Sequence, residues 1–150
     1  MEINPIGFIK SEIKDGIDSG WGNIISEIHL LPEFKDGLKG INDFSHAIII
    51  FYMHKSNFEL KEHIQRKPQG IEELPEIGIF SQLAKHRPNP LGITTVKILS
   101  LEDNILRVQA LDAIDGTPVI DIKPYFLSFD YPKEEIKEAD WVDVIMGKYF

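Results

Sequence analysis

Three carboxylates stand where strands should be mostly apolar. In LDAIDGTPVIDIKPYF, residues 111–126, Asp112, Asp115 and Asp121 fall close together, with Lys123 just behind. A carboxylate taken out of water must be hydrogen-bonded or paired. Two readings therefore stand side by side. One is an internal pair, Asp121 with Lys123, or either of them with Arg87. The other is a carboxylate that accepts hydrogen bonds from a bound ligand. Asp115-Gly116 is also a good turn pair, which Thr117 and Asp112 can cap. The second chemically loaded stretch is KHRPNPLG, residues 85–92. Pro88 and Pro90 fix their own φ angles and push the residue before each out of the helical region. The plain reading is a stiff turn between strands. Yet two prolines remove two backbone donors and leave a preset loop with Arg87 and Asn89 projecting from it. Rigid loops on barrels are where sites are built.

Other chemistries find no support. The sequence has no Gly-x-Gly-x-x-Gly, no P-loop and no His-Glu-x-x-His. It has no cysteine, which removes disulfides, thiolate nucleophiles and Cys-based zinc sites and fits a cytoplasmic location. The five histidines, 29, 46, 54, 63 and 86, lack metal-ligand spacing, so no metal is expected. His54, at a strand end, reads as a capping or interface residue. The longest apolar run, AIIIFYM at 47–53, is too short to span a bilayer, so no membrane partner is expected. The formal net charge of -8 opposes nucleic acid globally, although cations gather between Lys55 and Arg87: Lys61, Arg66, Lys67 and Lys85.

The elements that must position these residues are short. Residues 6–11, 23–31, 45–54, 77–83, 92–101, 104–114 and 117–126 read as strands, with a hairpin around Glu102-Asp103-Asn104. The 45–54 stretch is rich in β-branched and aromatic residues, bounded by polar ones, and is expected to be buried on both faces. Residues 32–41 read as a short helix after Pro32, residues 56–76 open with polar, helix-compatible residues, and residues 131–150 start like a helix at Pro132. No strand–helix alternation appears. The expected fold is mainly β: a single-domain antiparallel β-barrel over residues 1–150, with short helices and no Rossmann-like sheet.

GIFSQLAKHRPNPLGIT (78–94) followed by LDAIDGTPVIDIKPY (111–125) resembles the paired signature stretches of the TrmO/YaeB family, also called TsaA-like. PEFKDGLKGINDFSHAIIIFYMH, leading to His54, agrees as well. The resemblance covers nearly the whole chain and implies an S-adenosylmethionine-dependent methyltransferase on a β-barrel. The implied reaction is N6-methylation of threonylcarbamoyladenosine at position 37 of a tRNA. It also implies a homodimer with the cofactor near the interface. The implied cofactor pocket draws on His54 and Lys55, on Ile93 after the proline loop, on Gln109, Ala110, Leu111 and Asp112, and on an N-terminal loop placed at Gly20, Trp21 and Gly22. The chain departs from the family at Leu83, where many members carry an arginine of the cofactor or substrate site. Either another cation replaces it, with Lys85 and Arg87 the candidates, or the site binds something different.

Methyl transfer from a sulfonium loses positive charge at sulfur, so a fixed anion beside that atom would favour the ground state. The loops at 88–93 and 109–117, with Asn89, Pro90, Gly116 and Thr117, are therefore expected to hold the cofactor largely through backbone groups, with Asp112 on a polar part of it. A weakly nucleophilic acceptor nitrogen benefits from a proton acceptor, for which Asp115, Tyr125 and His54 are the candidates. The competing readings are the same chemistry on a small-molecule acceptor and a cofactor-binding module without catalysis.

Overall fold

The computed structural model describes residues 1–150. Six antiparallel strands close into a barrel: β1 (Gly7–Lys10), β2 (Ile25–Leu30), β3 (His46–Tyr52), β6 (Leu91–Glu102), β7 (Ile105–Gln109) and β8 (Pro118–Pro124), in the order β1-β2-β7-β6-β3-β8. A separate ribbon pairs β4 (Gln65–Arg66) with β5 (Ile77–Gly78). The helices are α1 (Leu60–His63), α2 (Leu127–Asp130) and α3 (Val142–Met146), with several 3₁₀ turns between.

Side-chain alternation fills the barrel. Ile9, Ile28, Leu30, Ala47, Ile49, Phe51, Val96, Leu106, Val108 and Val119 point inward, and Leu111, Ala113, Leu38 and Ile41 close the same core. Fully burying an aliphatic or aromatic side chain of this size stabilises the fold by about 1.5–3 kcal/mol. Gly92 is fixed by this packing, because a Cβ there would run into the Phe51 ring. At the end distant from the proline loop, the β6–β7 turn is tied down by Asn104, whose side chain donates to the Leu30 carbonyl at 2.6 Å, and by a Lys35–Asp103 ion pair.

Four sequence expectations shift. The 45–54 strand is buried on one face only: Ala47, Ile49 and Phe51 are inside, whereas Ile48 and Ile50 are half-buried outside. A closed barrel has one interior, so a strand in it buries one side. The 77–83 stretch forms only the two-residue β5, followed by a 3₁₀ turn at Ile79–Ser81. Carbonyls that a longer strand would use are taken by Arg87. Residues 32–41 are not α-helical; Pro32–Leu38 and Ile41–Asp43 are 3₁₀ turns, the form short runs adopt. No helix starts at Pro132: residues 131–140 are exposed and carry no apolar stripe to dock, and the helix waits until Val142.

Candidate active site

Antiparallel order brings the chemistry to one end. β1, β3 and β7 finish there, and β2, β6 and β8 begin there. That end therefore collects the loop after β1 with Gly20, Trp21 and Gly22, the stretch after β3 with His54 and Lys55, the proline loop before β6, and residues 110–117 between β7 and β8. Tyr125 is not among them. It follows β8, its N–H donating to the His46 carbonyl at 3.1 Å. Val119 pairs with Phe51 near the site, and Pro124 with Ala47 at the far end. At about 3.3 Å per residue, Tyr125 lies roughly 20 Å from the site, so its candidacy as a base there is withdrawn.

Residues 110–117 cross the barrel mouth. Ala110 takes a positive φ of 67° and donates to the Ile24 carbonyl at 3.0 Å. Gln109 donates its side-chain amide to the Gly22 carbonyl at 2.9 Å, and Leu111 is fully buried. The Gly116 N–H reaches the Ile9 carbonyl at 2.8 Å, and the Ile9 N–H reaches Thr117 at 2.9 Å. The crossing is thus pinned at both ends.

At its centre is Asp112, half-buried. One carboxylate oxygen accepts the hydroxyl of Thr94, on the inner face of β6, and the other accepts the Tyr149 hydroxyl at 2.7 Å. None of the ion pairs in the chain uses Asp112. A half-buried carboxylate bonded only by neutral hydroxyls keeps acceptor capacity for a ligand's donors. Thr94 and Tyr149 were missed by sequence reading. The inward direction of Thr94 is legible only once it alternates with buried Val96.

Asp115 has a different setting. It accepts the Ser11 N–H at 3.0 Å and pairs with Lys14 at 2.8 Å. The hydrogen bond from Lys14 and then the Ser11 N–H hold it below the usual carboxylate range, against a small opposing effect of burial. So held, it anchors the 11–14 turn and is a weak base. Thr117 is buried, with its hydroxyl 3.4 Å from Nδ1 of the exposed His54. Lys55 reaches the Lys14 carbonyl at 2.9 Å and Asp15 at 2.8 Å.

The proline loop differs most from expectation. Arg87 does not project. Its guanidinium turns back to the carbonyls of Gln82 at 2.5 Å, Ile79 at 3.1 Å and Ala84 at 3.5 Å. A planar guanidinium suits this convergence of backbone acceptors. Leu83 is 87% exposed and Phe80 76% exposed. Asn89 is exposed, and Pro90 accepts the Met53 N–H at 2.8 Å, seating the loop on β3. Of the two cations considered as replacements at position 83, Arg87 is consumed internally, whereas the charge of Lys85 reaches Asp15 beside Lys55. Ile93 lies on the outer face of β6, 67% exposed and opposite Ile50, so it points away from Asp112. Asp121 pairs with Lys123 at 2.6 Å, the internal pairing the sequence allowed.

Comparison with known proteins agrees with the fold. The family model described as the tRNA-methyltransferase O N-terminal domain matches residues 18–131. A probable S-adenosyl-L-methionine-binding protein of Pyrococcus abyssi is 40% identical over 84% of this chain and 68% of its own length. An S-adenosyl-L-methionine-binding protein of Archaeoglobus fulgidus is 38% identical over 87% of this chain and 93% of its own. A mouse tRNA (adenine(37)-N6)-methyltransferase is 38% identical over 64% of this chain but only 22% of itself. The crystal structure of TrmO from Pseudomonas aeruginosa superposes with a TM-score of 0.72 at 26% identity, covering 91% of this chain and 60% of that one. With its closed barrel, its paired signature stretches and these matches, the chain belongs to the tRNA-methyltransferase O N-terminal domain family.

Proposed function

We propose that residues 1–150 form one S-adenosylmethionine-dependent methyltransferase domain that methylates N6 of threonylcarbamoyladenosine at position 37 of a tRNA. The observation that carries this reading is Asp112, a half-buried carboxylate without a cation, at the mouth formed by the two signature stretches. The donor set fits the cofactor: Asp112 has lone pairs left for hydroxyl or ammonium donors, and the surrounding groups are backbone and buried apolar side chains such as Leu111 and Trp21. When bound, the cofactor supplies a methyl group on a sulfonium. Gln109, Ala110, Leu111, Asp112, Gly116 and Thr117 would wall its site, with Gly20, Trp21 and Gly22 across from them. In this reading His54 takes the proton that the acceptor nitrogen gives up; Asp115 being held by Lys14 and Tyr125 being remote support that assignment. Lys85 takes over the cationic part played by arginine at position 83 in relatives.

A homodimer belongs to this reading. Tyr52 pairs with Leu91 and Ile50 with Ile93 on the outer face of β3 and β6, leaving an exposed apolar strip next to the site. A second copy seated there brings its own loops to the cofactor. Calorimetry with S-adenosylmethionine is the first test: micromolar binding is expected, and none would sink the reading. Undermethylated tRNA from a strain lacking the gene should accept methyl from the purified protein at adenosine 37.

One observation favours a second acceptor. Lys55, Lys67 and Arg87 are engaged within the chain, which leaves Lys61, Arg66 and Lys85 for a phosphate backbone, against a net charge of -8. If cofactor binds and no tRNA is methylated, a small-molecule acceptor replaces tRNA.

A further inference from the structure

Asp112 is held from two directions, and one lies beyond the family match, which ends at residue 131. Thr94 comes from β6, and Tyr149 from the 141–150 segment. Backbone contacts seat that segment. The Gly20 N–H donates to the Lys148 carbonyl at 2.9 Å, and the Trp21 N–H donates to the Tyr149 carbonyl at 2.8 Å. Gly22 has no room for a side chain, because a Cβ would sit 2.5 Å from the Phe150 carbonyl carbon. Beneath them Trp21 is buried, its indole N–H donating to the Ile17 carbonyl at 3.0 Å. The approach of Tyr149 is thus fixed by main chain on both sides.

We infer that Tyr149 is a positioning residue of the cofactor site: with Thr94 it fixes the Asp112 carboxylate in one orientation, so that the remaining lone pairs face the ligand. The inference rests on the cofactor reading above. A carboxylate rotates over a broad range about its last torsion. One hydroxyl donor on each oxygen removes that freedom before the ligand arrives, which is preorganisation. Burial, then the charge of Asp112 and the hydrogen bond to it, push the Tyr149 phenol well above its ordinary range, so it stays a donor at any working pH.

The test is Tyr149→Phe, which removes one oxygen and keeps the ring, read by equilibrium dialysis with S-adenosylmethionine. Affinity should fall about tenfold, while the thermal midpoint moves by less than about 4 °C. Thr94→Val should weaken binding by a similar factor, and the double variant should lose less than the product of the two. Near-ultraviolet absorption reports whether the hydrogen bond from Tyr149 to Asp112 is present and whether it survives cofactor binding. The wild type minus Tyr149→Phe difference should show the red-shifted band of a phenol donating to a carboxylate, and keep it with cofactor bound. If Tyr149→Phe unfolds the segment, Thr94→Val carries the same expectation without touching its backbone bonds. Unchanged affinity in the folded variants overturns the inference. So does tighter binding in Tyr149→Phe with loss of the band on adding cofactor to the wild type, which would mean that the phenol sits in the ligand's own place. A wild type that binds no cofactor sinks the functional reading as well; a binding wild type indifferent to both substitutions sinks the inference alone.

Discussion

Two side chains show how differently single residues can be read. Arg87 belongs to a signature stretch and looked like a ligand group, yet it closes its own loop by donating to three carbonyls. Hydrogen bonds from a charged donor contribute about 1.5–3 kcal/mol each. Arg87→Ala should therefore cost on the order of 2–4 kcal/mol in urea unfolding, and Arg87→Lys should restore only part of it. Tyr149 makes the opposite point. Its partner Asp112 is 37 residues away, and nothing in local spacing joins them. Its phenol ionises at higher pH in the fold than in the unfolded chain, mainly because it is buried. The stability this confers is fully present below about pH 10, the ordinary tyrosine value, and is lost as pH rises beyond it. Wild type should lose more stability than Tyr149→Phe between pH 9 and 11, measured by denaturant midpoints.

At the level of elements, the six barrel strands were legible because each shows alternation or a β-branched run between turn residues. What periodicity could not supply was the partner of a short stretch. Residues 77–83 have strand composition but find only the two-residue β4 to pair with, and 131–140 have helix-start residues but no face to bury. The same limit applies to the site. The two signature stretches meet at one end of the barrel, whereas Tyr125, one of three candidate bases in the sequence, is carried by β8 to the other. The loop before β6 also has a pH response. The Asn57 N–H donates to Nδ1 of His86 at 3.0 Å, so that nitrogen must stay unprotonated. Burial, followed by the charges of Lys85, His63 and Arg66, holds His86 below the ordinary histidine value. An unfolded chain takes up this proton near pH 6.5 while the folded chain resists it, so stability falls as pH drops through that value. Amide exchange at Asn57 should accelerate below pH 6 in the wild type, beyond the intrinsic pH dependence, and His86→Gln should lack that dependence.

At the level of the whole molecule, the outer strip of β3 and β6 is the proposed contact between subunits. Ile93→Glu places a charge at the centre of the proposed contact without entering the core, since the side chain is 67% exposed. Light scattering should show a dimer for the wild type and a monomer for the variant, with cofactor affinity reduced; a dimeric Ile93→Glu would move the interface elsewhere. The closed strand order carries a consequence of another kind, in time rather than space. The β6–β7 hairpin joins neighbours in sequence, whereas β1 meets β8 by pairing Gly7 with Val119, across most of the chain. Loop-closure entropy makes local pairings early and distant ones late. The contacts that pin Gly116 and Thr117 to Ile9 belong to that last seam. The barrel wall therefore forms before the site does, and a chain still emerging from the ribosome without β8 is a curved sheet with no place for a cofactor.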